Sequence, residues 1–317
     1  MTGAARVLVT GASGFVGRWS VPALLGLGFD VHAVLSNSHA GEVPDELRGA
    51  TVHRCDLLRE ESIDATLEQV QPTHLLHFAW IAQPGVYWNS PDNFLWLEAS
   101  RHLLHRFSVL GGRRVVMAGS CAEYDWSGPG VFDERLGPLA NEAAQATPAY
   151  TKCKLRLHRL LEEFAARQQL SSAWGRIFFQ YGPYEHPQRL VPSVIGSLLR
   201  GREALCTHGR QVRGFLHVAD VGAAFAAILA GSVQGAVNVG SDERITLAEL
   251  IERIARKIGR PDLVRLGART AAEEPPLLIP VTRRLLEETS WRPRFDLDEG
   301  LADTIDWWRA RLQPTPP

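Results

Sequence analysis

Tyr150 and Lys154 lie four residues apart in Pro148-Ala149-Tyr150-Thr151-Lys152-Cys153-Lys154, a spacing that puts both on one face of a helix. A cationic amine beside a phenol favours phenolate, bringing a group of pKa about 10 towards the range where it exchanges a proton with a substrate oxygen. Plain surface helices carry such pairs too, so the spacing alone assigns no chemistry. Ser120, in Met117-Ala118-Gly119-Ser120-Cys121, adds a hydroxyl at the end of an apolar strand, where open parallel sheets bind ligands. It can hydrogen-bond the same oxygen; a turn residue is the alternative reading. Together the three suit proton transfer at a carbinol or ketone oxygen while hydride moves on its carbon.

Hydride needs a carrier, and Thr10-Gly11-Ala12-Ser13-Gly14-Phe15-Val16-Gly17 follows the first apolar strand and opens a helix. Glycines allow a tight turn and close backbone approach, and a helix N-terminus offers N–H groups to a pyrophosphate. Gly11, Ser13, Gly14, Phe15, Val16 and Gly17 are therefore cofactor-binding candidates, with Arg18 beside them. Pro22 inside the following helix removes a backbone hydrogen bond. NAD sites place a carboxylate at the end of the second strand to hold the ribose hydroxyls. Here that end reads Leu35-Ser36-Asn37-Ser38, with neither a carboxylate to repel a 2′-phosphate nor an arginine to attract one. The balance favours NADP(H) over NAD(H), with Ser36 and Asn37 as contacts. Asp56, in Cys55-Asp56-Leu57, is read either as an acceptor for the adenine amino group or as a helix N-cap.

These residues need strands and helices to hold them. Arg6–Thr10, Val31–Leu35, Thr51–Cys55, Thr73–Phe78, Arg113–Ala118 and Ser171–Phe179 read as strands separated by helical patterns. That alternation predicts an α/β fold: a Rossmann-like doubly wound parallel sheet with a smaller C-terminal α/β substrate lobe. The dinucleotide domain is expected over 1–182, with 214–235 returning to it, and the substrate lobe mainly over 183–317. Thr147 reads as the N-cap of the Tyr150 helix and Thr246 as that of a helix to Ile258, with Glu249 closing a capping box. The tail from Gln313 to Pro317 reads as frayed.

The 317 residues carry a formal charge of −1 with dispersed basic residues, which excludes the footprint of a nucleic-acid or membrane-surface binder. Cys55, Cys121, Cys153 and Cys206 form no metal-ligand spacing or disulfide framework, so no metal is expected and the thiols fit a reducing cytoplasm. No export signal or membrane span is indicated.

TGASGFVG, Ser120 and Tyr150-xxx-Lys154 together resemble the extended short-chain dehydrogenase/reductase family, in particular its nucleotide-sugar epimerases, dehydratases and ketoreductases. The likeness extends through Leu76-His77-Phe78-Ala79, Tyr181-Gly182-Pro183, Gln211-Val212-Arg213-Gly214-Phe215-Leu216-His217-Val218-Ala219-Asp220-Val221 and Asn238-Val239-Gly240. It implies that Leu57, Phe78, Ala79, Trp80 and Asn93 line the cofactor beside Tyr150 and Lys154. It implies a nucleotide-diphosphate sugar between the lobes, touched by Ser120, Cys121, Phe179, Leu190, Val191 and Arg213. Arg213 would meet the diphosphate, for which a planar guanidinium is suited. A homodimer built on the Tyr150 helix and its neighbour is a further implication.

Dehydratases of this family carry an acidic pair after the Ser/Thr position, where this chain has Cys121 and Ala122; Glu123 is displaced by one. The 4,6-dehydratase is therefore disfavoured. Phe179 stands where many relatives carry Asn, which suits a deoxygenated sugar, and Gly214 replaces the usual Asp. The reading is a 4-ketoreductase of a 4-keto-6-deoxyhexose: hydride to sugar C4, a proton from Tyr150, Lys154 on the cofactor ribose and Ser120 steadying the oxygen. The alternatives are a 4-epimerase with tightly held NAD and, in another class, a non-catalytic dinucleotide-binding redox sensor. The aromatic loops Trp80–Asn89 and Glu123–Trp126 either seal the site or stack on the sugar.

Overall fold

The computed structural model describes residues 4–37, 42–128, 130–271 and 274–312. Ser38 and the tail from Gln313 lie outside the described residues. Among the described residues seven strands form one parallel sheet: β1 (Arg6–Thr10), β2 (Asp30–Leu35), β3 (Thr51–Arg54), β4 (His74–His77), β5 (Arg114–Ser120), β6 (Ser171–Ile177) and β7 (Gly235–Val239). Their order is β7-β6-β5-β4-β1-β2-β3. The direction of winding reverses between β1 and β4, which opens a crevice at their C-terminal ends where such sheets bind ligands.

Side chains alternate across each strand, so successive apolar residues feed opposite cores. Val7 and Val9 join Leu24, Val31, Val116 and Phe225 beneath helices α1 (Gly17–Gly26) and α6 (Val218–Ala230). Leu8 and Leu75 join Leu67, Leu104, Val115, Leu157 and Trp174 beneath α2 (Glu60–Val70), α3 (Asp92–Val109) and α4 (Ala149–Gln168). At the crevice the buried His77 ring bridges Thr10 Oγ1 at 2.7 Å and Ser100 Oγ at 2.9 Å, and burial pushes its pKa down to about 3. His77 is therefore neutral and ties β1, β4 and α3 together. Helix α1 runs through Pro22, an exposed position.

The strand expected over Ser171–Phe179 divides. β6 ends at Ile177, the Phe178 N–H turns to the Val239 carbonyl, and Phe179–Tyr181 pairs instead with Phe215–His217. The returning segment reaches beyond 235, because β7 adds the edge strand beside β6. Its short run, interrupted by Asn238, carries little strand signal. The second lobe packs α5 (Leu190–Leu199), α7 (Leu247–Ile258) and α8 (Leu297–Leu312) around Tyr181, Ile195, Ile251 and Leu301. Thr246 and Glu249 form the expected capping box on α7. Its four-stranded sheet borrows Val131–Phe132 from the first half of the chain, pairing it with Leu277–Pro280.

Candidate active site

The glycine loop closes on the exit of β4. Gly11 has φ of 67°, and a Cβ there would stand 2.8 Å from the Ala79 nitrogen; a Cβ on Gly17 would collide with the Gly11 carbonyl oxygen. No side chain caps the N-terminus of α1, where Val16 is the N-cap residue, so no side chain competes with a diphosphate there. Exposed Gly14 donates its N–H to Gly11 O, while Ser13, Phe15 and half-buried Val16 complete the turn. Arg18 braces it: Nη2 donates to Ser13 O at 2.7 Å, the guanidinium lies 3.7 Å over the Tyr184 ring, and Glu46 pairs with it at 3.6 Å. The loop thus fits a dinucleotide.

At the end of β2, Ser36 and Asn37 are exposed, and Arg54 Nη1 donates to Ser36 O at 3.4 Å. The sequence reading found no arginine here because Arg54 comes eighteen positions after Ser36; the β2–β3 register, which pairs Leu35 with Arg54, brings it alongside. Asp56 does not cap α2, whose N-cap is Arg59; its Oδ1 accepts from Leu58 N in a tight turn beside buried Leu57. Phe78 packs edge-on against Phe225 at 4.8 Å and Ala79 N–H meets Thr10 Oγ1, so both lie directly beneath the loop. Asn93 is buried and engaged: Nδ2 donates to Tyr87 O and Ser90 O, and Oδ1 accepts from Trp80 Nε1 at 2.8 Å. It braces the loop that carries Trp80 and Tyr87.

Ser120 ends β5, and Tyr150 and Lys154 lie on the first turns of α4. Thr147 does not cap α4. Its hydroxyl donates to Asn141 O at 2.6 Å, and Pro148 takes the cap position. Ser120 is a neighbour of the Tyr150 phenol and counters part of the rise that burial imposes on it. Lys154 is buried, with Nζ donating to Ala118 O at 2.9 Å and lying 3.8 Å over the Trp80 ring. The expectation that Lys154 lowers the Tyr150 pKa is reversed in this arrangement. Burial pushes the phenol above its usual value, and the ammonium lies 5.9 Å from the Tyr150 ring, committed to Ala118 and Trp80. Burial in turn pushes Lys154 down to about 7.

The aromatic loops meet around the phenol. Tyr87 stands edge-on to Tyr150 at 4.9 Å, Trp88 at 5.8 Å, and Trp126 packs on Trp88 at 6.0 Å. The Arg189 guanidinium, missed by sequence reasoning, lies 5.8 Å over the Tyr87 ring; near it burial pushes the Glu185 carboxyl up to about 8. Of the residues expected to meet the substrate, Arg213 is buried, 5.0 Å under the Phe179 ring, with Nη2 3.3 Å from Glu274. Burial pushes the nearby Cys121 thiol up to about 12, with Glu123 adding to the rise. Val191 is in the core of the second lobe, with Leu190 packed partly against it. Glu123 points away from the site into a fully buried network with Trp174 and Arg176. Behind it lies a cavity of about 710 Å³, lined by His158, Arg176, Glu134 and Arg284 and by none of the catalytic candidates. Among the described residues no cluster of His, Cys, Asp or Glu could hold a metal.

Residues 7–240 match the NAD dependent epimerase/dehydratase family. The chain is 28% identical to a dTDP-glucose 4,6-dehydratase of Streptomyces niveus, over 96% of this chain and 93% of the relative. It superimposes on a Thermus thermophilus UDP-glucose 4-epimerase in complex with NAD with a TM-score of 0.80 and 25% identity, covering 97% and 100% of the two chains. MoeE5, solved with UDP-glucuronic acid and NAD, gives 0.78 and 28%, over 97% and 100%. The glycine loop, the seven-stranded sheet and a family match over most of the chain agree: this protein belongs to the NAD-dependent epimerase/dehydratase family, a group of short-chain dehydrogenase/reductase-type enzymes.

Proposed function

We propose that the protein is an NADPH-dependent 4-ketoreductase acting on a 4-keto-6-deoxyhexose linked to a nucleoside diphosphate. The observation that carries this reading is Arg54 alongside Ser36, at a strand end where Ser36 and Asn37 replace a carboxylate. A guanidinium suits a 2′-phosphate, and neither neighbour repels one. The bound dinucleotide supplies hydride. Tyr150 gives its proton to the carbonyl oxygen; a phenol held above its usual pKa is an acid at neutral pH, which suits reduction. The Ser120 hydroxyl steadies the same oxygen, and Lys154 orients the nicotinamide ribose. Arg213 meets the diphosphate, Phe179 presents apolar surface to a deoxygenated sugar, and Tyr87, Trp88 and Trp126 exclude water. Cys121 and Ala122, neither of them acidic, argue against elimination of water. Free Cys55, Cys121, Cys153 and Cys206 fit a cytoplasmic setting.

Likeness to the 4-epimerase along its full length favours a second reading, 4-epimerisation with retained NAD. Extraction of the dinucleotide that copurifies, followed by incubation with NADPH and dTDP- and UDP-linked 4-keto-6-deoxyhexoses, separates the two. Stoichiometric consumption of NADPH supports reduction. Retained NAD with interconversion of 4-epimers, and no NADPH consumption, replaces it with epimerisation. In Arg54→Ala the NADPH Kd is expected to rise about tenfold, the equivalent of one charge-assisted contact, with NADH affinity unchanged.

A further inference from the structure

We propose that Glu123 is a positioning residue: its carboxylate holds the backbone of Ser120 so that the serine hydroxyl faces Tyr150, and it anchors that backbone to Trp174 and Arg176 of β6. Glu123 is fully buried and accepts from Ser120 N at 2.7 Å, from Trp174 Nε1 at 2.9 Å and from Arg176 Nε at 2.9 Å. Ser120 Oγ in turn accepts from Ala122 N at 3.2 Å, closing a capping box over 121–123. That bond fills one of the two acceptor positions of the hydroxyl and orients it, leaving its proton for the oxygen that Tyr150 also serves. The residue before Ser120 is fitted to the arrangement: a Cβ on Gly119 would stand 2.5 Å from Glu123 Oε1 and collide with the Trp174 indole. A buried carboxylate is costly unless paired and fully hydrogen-bonded, and this one spends one of its bonds on the catalytic strand end.

The charge also reaches the chemistry. Glu123 raises the pKa of both Tyr150 and Lys154. Tyr150 is further faced by Ser120, Tyr87 and Cys121, Lys154 by Cys153, and Glu123 itself by Arg176, Trp174 and His158, the last at 4.0 Å.

The proposal rests on Ser120 and Tyr150 being the proton-handling pair, so Tyr150→Phe is assayed in parallel. Turnover is followed with NADPH and dTDP-4-keto-6-deoxyglucose, or as interconversion of UDP-glucose and UDP-galactose if that is the active assay. In Glu123→Gln, kcat is expected to fall about tenfold to hundredfold, with KM for the sugar nucleotide within about twofold. The basic limb of the pH profile should move to lower pH, because a charge that holds Tyr150 protonated is gone. The amide leaves Arg176 without its counter-charge, so Glu123→Gln/Arg176→Met is made as well; Tm should recover while kcat does not. Recovery of kcat with Tm, or wild-type kcat and pH profile in Glu123→Gln, overturns the proposal. An active Tyr150→Phe overturns instead the assignment beneath it. Crystals of Glu123→Gln give a reading independent of substrate: Ser120 Oγ should leave Tyr150, and an unmoved Ser120 overturns the proposal.

Discussion

Burial moves the two central groups in opposite directions, the Tyr150 phenol up and the Lys154 ammonium down to about 7, because each is favoured in its neutral form. For Tyr150 this means a proton donor at neutral pH. Tyr150→Phe should lower turnover about 10³-fold, with the Kd for dinucleotide, measured by fluorescence titration, changed less than twofold. A redox sensor would keep its partner response in that variant. For Lys154 the consequence is in stability. Between about 7 and its ordinary 10.5 the unfolded chain holds a proton that the folded protein has released. Stability contributed through this group therefore rises with pH across that window. Comparison of Tm at pH 7 and pH 9.5 in wild type and Lys154→Met should show a smaller rise in the variant; equal rises would mean that Lys154 is ionised in the fold. Tyr150, Lys154 and Ser120 were legible in the sequence because helical spacing and strand ends are local. Arg54 was not, since it reaches Ser36 through strand register, and neither was the burial of Glu123, since its bonds to Trp174 and Arg176 come from a distant strand.

The element that sets cofactor affinity is the β1–loop–α1 unit. Its glycines serve backbone packing as well as ligand approach: Gly17 has no room for a methyl group against the Gly11 carbonyl, and Gly11 lies in the left-handed region against Ala79. Gly17→Ala must displace the loop, so dinucleotide Kd should rise more than tenfold while far-UV circular dichroism stays native. Wild-type affinity in that variant would show that the loop does not carry the diphosphate. At this scale the sequence pattern was sound for β1 to β5 and for α7, where apolar runs and a capping box are local signals. It was blind to the break at Phe178 and to β7, both set by the Phe178–Val239 backbone hydrogen bond and by pairing of distant strands. The expected Thr147 cap failed because the helix begins one residue later, with Pro148 at the cap position, and the Thr147 hydroxyl is turned towards the Asn141 carbonyl.

The whole molecule places the crevice of the sheet against a second lobe whose own sheet includes Val131–Phe132. The lobes are thus interlocked in chain order, and the 182/183 division marks only where most of the second lobe begins. Among the described residues no helix is long and apolar enough to cross a membrane. We propose that two copies associate through α3 and α4; Phe94, Leu95 and Val109 leave apolar surface exposed on α3. Sedimentation at micromolar concentration should give about twice the 35.0 kDa chain mass, and Leu95→Glu should shift it towards monomer. A wild-type monomer would remove the dimer.

The residue order alone carried the fold class, the glycine loop, the Ser120, Tyr150 and Lys154 set and the family resemblance. Each is written in periodicity or short spacing, which backbone geometry converts directly into strands, helices and loops. Folding in three dimensions settled the rest. It put Arg54 beside Ser36, turned Glu123 inward onto Ser120, committed Asn93 to the Trp80 loop and raised the Tyr150 pKa where a lowered one was expected. For Arg54, Asn93 and the Tyr150 pKa the reason is that desolvation and hydrogen-bond partners depend on which separated segments pack together; Ser120-x-x-Glu123 is a local capping-box spacing, and only its burial against Trp174 and Arg176 depends on a distant strand.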